Sequence, residues 1–162
     1  MMKAPMGRID RYTLFIATGF GLGKASVAPG TFGTLAGLPL IFVMVLLSGG
    51  PAAAPAFYLV GLTLFSIRVA DRAEKLLGQK DPGCIVIDEM AGYCIALSLV
   101  PVTFSTLVAG FAAFRCFDIV KPAPVRYFER KFNGGAGVVL DDIMAGVLAA
   151  LLLKLVWMAG LL

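Results

Sequence analysis

The sequence contains no histidine. That removes histidine nucleophiles, serine–histidine relays and the common zinc catalytic shells together. Cysteine is scarce. Cys84, Cys94 and Cys116 are odd in number and widely spaced, so they offer neither a disulfide framework nor a zinc-binding spacing and read as small apolar fillers. None has an arginine six positions on, which excludes a cysteine phosphatase loop, and no Asp-x-Asp pair offers an aspartyl nucleophile with its neighbouring acid. Charged residues make up 15% of the chain, against about 25% in a typical soluble domain. The formal charge of +4 is not gathered into a long basic tract, which argues against a nucleic-acid partner. Internal repeats and low-complexity linkers are absent, and no signal peptide of the usual form is visible. Leu14–Ile16 runs straight into Gly19, Gly21 and Gly23 without a small-residue cleavage site, so the N-terminus is expected to stay in the mature protein.

What the sequence has in excess is apolar surface. At 59% apolar residues and a mean hydropathy of +0.91, a chain of 162 residues carries more than one water-facing globule can bury. A single domain over 1–162, placed in a bilayer, is the expectation. Every charged residue except Lys154 falls within Lys3–Lys24, Arg68–Glu89 or Arg115–Asp142. The connections 48–55 and 101–103 between apolar stretches carry no charge. Three charged segments on one side and bare turns on the other is the simplest topology, and the Lys and Arg content of short loops puts the charged side in the cytoplasm. The apolar elements are predicted near 34–48, 55–70, 89–100, 104–117 and 142–161. Since 89–100 and 104–117 are short for a crossing of about 20 helical residues, they either fold back at Pro101 or form one continuous span; the fold-back keeps the acidic clusters together. Arg68–Leu77 and Pro124–Phe132 have apolar residues at helical spacing and read as interfacial helices or as ordinary amphipathic surface helices. The fold class is therefore an all-α, multi-pass membrane protein with short interfacial helices and a polar face on one side.

Two acidic pairs, Asp88–Glu89 and Asp141–Asp142, each sit where an apolar helix is predicted to begin. Capping and the helix dipole account for either pair alone. Two such pairs at one membrane boundary would repel each other unless a cation neutralised them. With oxygen ligands only, that cation is Mg²⁺ rather than zinc. Asp118 is a further candidate ligand, or else the partner of Arg115 three residues back. The metal set is thus Asp88, Glu89, Asp142 and Asp118. The glycine-rich stretch from Gly19 to Thr34 suits an anion, with a helix beginning near Thr31 and with Lys24, Ser26, Thr31 and Thr34 as donors; a Pro-Gly turn with a threonine cap is the plainer reading. It lacks the lysine of a nucleotide-triphosphate loop. Arg115, Lys121 and Arg126, around Pro122 and Pro124, suit a phosphate held between metal and cations, or serve as basic anchors at the interface. Asp88, Glu89, Asp141 and Asp142 are the catalytic candidates, as ligands or with one as general base to a metal-activated water, and Thr31, Arg115, Lys121 and Arg126 the substrate-binding ones.

Taken in order, the blocks Ala17–Gly21, Pro29–Thr34, Asp88–Gly92, Phe114–Asp118, Lys121–Arg126 and Gly134–Gly137 with Asp141–Asp142 resemble the phosphatidylglycerophosphatase A family. The resemblance runs from about residue 12 to 155. It implies an all-helical, Mg²⁺-dependent membrane enzyme of phospholipid synthesis that hydrolyses phosphatidylglycerol phosphate to phosphatidylglycerol and phosphate. Other readings of the same residues are a phosphatase for another lipid phosphate or prenyl pyrophosphate, and a non-enzymatic cation carrier. A carrier would set its acids within the spans, whereas these lie at predicted segment edges.

Overall fold

The computed structural model describes residues 6–162; Lys3, the first residue of the N-terminal charged segment, lies outside them. The described residues form helices α1 (Arg8–Ala17), α2 (Pro29–Ala36), α3 (Leu38–Ser48), α4 (Ala54–Leu77), α5 (Ile87–Ala96), α6 (Phe104–Val120), α7 (Ala123–Lys131) and α8 (Gly135–Met158). No strand occurs among them. Helix α8 is the hub, packed against α4, α5, α6 and α7.

Three segments are long and apolar enough to cross a membrane: Pro29–Ser48, which joins α2 and α3 across Gly37, then α4 and α8. At 1.5 Å per residue, the 24 residues of α4 or α8 extend about 36 Å. Their outward faces are apolar, with Phe42, Leu46, Phe57, Leu64, Leu151 and Leu155 exposed. On helices long enough to cross a membrane, apolar faces of this extent suit contact with lipid rather than water.

The amphipathic segment Arg68–Leu77 is not a separate interfacial helix. It continues the apolar stretch before it as the last turns of α4. No Pro interrupts the run between Ala56 and Leu77, and Val69, Ala70 and Ala73 are buried in a cluster with Ala17, Ile87 and Val139, so packing carries the helix on into its charged end. The helix stops at Gly78, left-handed at φ 68°, whose N–H donates to the Glu74 carbonyl at 2.8 Å.

Helix α8 begins at Gly135 rather than at 142. Asp141 and Asp142 therefore lie within the helix instead of opening it, and its first turn has no acidic residue. Capping does not explain this pair. The glycine run is helical because it packs on α4: a Cβ on Gly135 would stand 2.1 Å from the Ile67 carbonyl oxygen. Glycine's poor helix propensity is offset here by an approach no other residue permits.

Residues 87–120 fold back on themselves and do not form one continuous span. Thr103 caps α6 in a reciprocal capping box with Thr106, whose hydroxyl also donates to the Pro101 carbonyl at 2.8 Å. Beyond this turn Tyr93 of α5 stacks on Phe114 of α6 and donates its hydroxyl hydrogen to the Leu107 carbonyl. The two uncharged connections meet at one end, where Ser48, Ala52, Pro101 and Val102 line a common cavity of about 550 Å³. The charged segments meet at the other. Asp10 pairs with Arg72 at 2.6 Å, and Arg115 approaches Glu89 at 3.9 Å.

Candidate active site

The acidic pairs come together because two helices touch through glycine. Asp88 and Gly92 lie one turn apart on α5, and Asp142 and Gly146 lie one turn apart on α8. A Cβ on Gly146 would stand 2.3 Å from the Gly92 carbonyl oxygen, and one on Gly92 would stand 2.7 Å from the Asp142 carbonyl oxygen. With no side chain between them the backbones close up, and the carboxylates a turn away are carried into one cluster. Ligand oxygens of Asp88, Glu89 and Asp142 all lie within 4.8 Å of one another.

These oxygens line a cavity of about 300 Å³ with Asp118, Asp141, Arg115, Lys121, Asp81 and the start of α2 at Ala28, Pro29 and Gly30. Arg115 holds Asp118 at 2.6 Å, so the predicted pair across one turn of α6 is formed and Asp118 still faces the cavity. Lys121, left-handed at φ 47° just beyond α6, donates to Asp141 at 2.7 Å and to Glu129 at 2.8 Å. Gly30 makes room for the Arg115–Glu89 contact: a Cβ there would lie 2.5 Å from Glu89 Oε1 and 2.9 Å from Arg115 Nη1.

Six carboxylates face this cavity against two cations, Arg115 and Lys121. Burial, then the Glu89 charge beside it, pushes the Asp88 carboxyl well above its usual range. Burial also raises Glu89, against the lowering influence of the Arg115 guanidinium 3.9 Å away. Burial alone would lower the Lys121 amine, but its hydrogen bonds to Asp141 and Glu129 outweigh that and raise it. Asp88 Oδ1, Glu89 Oε2, Asp141 Oδ1 and Asp142 Oδ2 are buried without a hydrogen-bond partner, and so is one donor, Arg115 Nε. Buried polar atoms are normally satisfied. Acceptors orphaned in a group suit a cation, and a donor orphaned at their edge suits an anion. An all-oxygen set of clustered carboxylates fits a hard divalent ion such as Mg²⁺.

The fold thus gathers Asp88, Glu89, Asp118, Asp141, Asp142, Arg115 and Lys121, but not Thr31 or Arg126. Thr31 does not line the cavity, and its N–H donates to the Ala28 carbonyl at 3.0 Å. Thr34 is buried with its hydroxyl donated to the Gly30 carbonyl, while Lys24 and Ser26 are exposed away from the acids. The glycines at 19, 23 and 33 pack around the Val86 side chain instead of cradling an anion. Arg126 is exposed and lines a separate cleft with Arg130. Three acids with a place here escaped sequence reasoning. Asp81 faces the cavity, Glu74 accepts the Asp81 N–H at 2.6 Å, and Glu129 accepts from Lys121. Asp81 precedes Pro82 and Gly83, a pattern that signals only a turn, and the other two sit among ordinary helix-surface charges.

Residues 15–157 match the family model described as Phosphatidylglycerophosphatase A. The chain is similar to the phosphatidylglycerophosphatase A of Escherichia coli (strain K12), 35% identical over 151 residues that cover 91% of this chain and 86% of the relative. It is 38% identical over 140 residues to the protein of the same name from Haemophilus influenzae, covering 84% and 83% respectively. A Bacteroides thetaiotaomicron protein named "Putative phosphatidylinositol-3-phosphatase" is 39% identical over 161 residues, covering 96% of this chain and all of its own. No solved structure matches the chain.

Proposed function

The chain belongs to the phosphatidylglycerophosphatase A family, and we propose that it hydrolyses the terminal phosphate monoester of phosphatidylglycerol phosphate in a Mg²⁺-dependent step of phospholipid synthesis. The observation that carries this reading is the pairing of orphaned groups in one cavity: four buried carboxylate oxygens beside one buried guanidinium N–H. A cation alone would satisfy the first set. A phosphoryl group held against that cation satisfies both.

Asp88, Glu89 and Asp142 would hold the ion, and Asp118 faces the same cavity while fixing Arg115. Bound there, Mg²⁺ supplies Lewis-acid polarisation of the phosphoryl group and lowers the pKa of a water. Arg115, with Nε unpartnered, would donate to the phosphoryl oxygens, where charge stabilisation has most effect in such reactions. Asp141 stands outside the three-carboxylate group, has one oxygen unpartnered, and is anchored through the other by Lys121. We assign it as acceptor of the water proton. The phosphorus–glycerol oxygen bond breaks and water oxygen passes to the phosphate with one of its protons; the other, taken up by Asp141, is given back so that the lipid alcohol leaves neutral. The charged end faces the cytoplasm in this reading, at the inner membrane of a bacterium, because it carries the short Lys- and Arg-rich segments.

Phosphate release from phosphatidylglycerol phosphate by detergent-purified protein tests the proposal, first with Mg²⁺ and then with excess chelator. Rapid release that the chelator stops is expected; no release from folded protein would overturn it. The name of the Bacteroides relative supports a second reading, in which the monoester lies on an inositol ring. Phosphatidylinositol 3-phosphate as parallel substrate separates the two.

A further inference from the structure

Sharing Lys121 with the acidic cavity is a second cleft, of about 450 Å³, at the junction of α6 and α7. Its polar groups come from Lys121, Arg126, Tyr127 and Arg130, and its apolar lining includes Val120 and Pro122. No carboxylate lines it. Arg126 and Arg130 are one turn apart on α7, so both guanidinium groups fall on one face. Among the described residues neither lies within salt-bridge distance of an acid, whereas Lys121 is paired twice. Lys121 lines both this cleft and the acidic cavity. Val120, which lines the cleft, and its chain neighbour Ile119 are exposed at the end of α6, and Val108 is exposed further along the same helix. An anion in the cleft would therefore have apolar protein surface at hand for attached hydrocarbon.

We propose that this cleft binds a lipid phosphodiester, the one that joins the substrate's diacylglycerol to its phosphorylated headgroup. The inference rests on the phosphatase reading above and adds how the substrate is selected. A lipid carrying both a monoester and a diester occupies the two cavities together, with Lys121 between them. Arg126 and Arg130 make charge-assisted hydrogen bonds to the diester, and the acyl chains leave along the exposed apolar residues of α6. Phosphatidic acid, whose monoester sits directly on diacylglycerol, has no group for this cleft. Arg126 thereby recognises the non-reacting phosphate and not, as its place in the sequence suggested, the reacting one.

The test compares phosphatidylglycerol phosphate with phosphatidic acid in neutral detergent micelles, using wild type, the double variant Arg126→Gln/Arg130→Gln and the charge-conserving Arg126→Lys/Arg130→Lys. For Gln, KM for phosphatidylglycerol phosphate is expected to rise about tenfold or more with kcat little changed, so the preference over phosphatidic acid collapses by the same factor. The Lys pair should recover most of it. Added phosphatidylglycerol, a diester without a monoester, should compete in wild type and lose that competition in the Gln variant. Equal loss on both substrates, no loss, or stimulation by phosphatidylglycerol (the mark of a site for bulk anionic lipid) would overturn the proposal. Wild type inactive on both lipids would instead overturn the phosphatase reading on which it stands.

Discussion

Asp88 and Asp142 are buried acids, each with an oxygen that no protein donor reaches. Without a cation their ionised forms are both desolvated and mutually repelled, at a cost of several kcal/mol per group. Replacing either by Asn should have two opposite effects. Turnover should fall by roughly 10²–10³-fold or more if, as proposed, each is a ligand of the ion at the reacting centre. Stability in excess chelator should rise by about 1–3 kcal/mol, since a neutral amide needs no counter-ion. Thermal unfolding in detergent reads the second effect: Mg²⁺ should raise the midpoint of wild type and move the variants much less. Wild-type turnover in both variants would remove the carboxylate site. At this scale the sequence was informative about types and silent about roles. Adjacent acids with no histidine pointed to a hard cation, but Arg115's free Nε and the anchoring of Asp141 by Lys121 depend on which face of a helix turns inward. Arg126 stood in the same short block as Lys121 and looked equivalent, yet beyond the left-handed turn at Lys121 only Lys121 lines the acidic cavity, while Arg126 lines the second cleft only.

Helices α5 and α8 are held together by an interface with little tolerance. Adding one methyl at Gly146 or Gly92 must push backbone from backbone, which typically costs about 1–3 kcal/mol and here also separates Asp88 from Asp142. Gly146→Ala is expected to lower the unfolding midpoint and to reduce activity beyond that loss of stability, with a weakened response to Mg²⁺. Gly61→Ala is the control: a Cβ there meets nothing within 4 Å, so the exposed helix of α4 should gain up to about 1 kcal/mol. If Gly146→Ala behaves as Gly61→Ala does, the glycine contact does not set the site. Existence of the apolar helices was readable from hydropathy, and the stop at Gly78 from local chemistry. Two boundaries were not. The glycine run before Asp141 reads locally as a loop and is helical only because α4 lies against it, and α4 runs through a charged segment because its small residues are buried by α1 and α8.

For the molecule as a whole, charge and its absence divide the two ends. The uncharged connections share one cavity and the charged segments share the other pole. In a background without the natural cysteines, Lys80→Cys and Ala52→Cys should react with a membrane-impermeant thiol reagent from opposite faces of sealed vesicles. Lys80, which lies beside the site, should react from the cytoplasmic face. Labelling of both from one face would overturn the topology. That polarity is visible in the sequence as clustered charge; the fold-back at Pro101 is not, because hydropathy alone also allows one continuous span, and it is the contact of Arg115 with Glu89 that requires it. The position of the acidic cavity at the charged pole also divides the products of the proposed reaction between two phases. Phosphate departs into water and dilutes in three dimensions, whereas the lipid alcohol remains in the sheet it came from. Substrate supply and lipid-product inhibition are therefore governed by mole fraction in the membrane surface, and inhibition by phosphate by bulk concentration, so diluting the vesicles and diluting the substrate within them are different experiments.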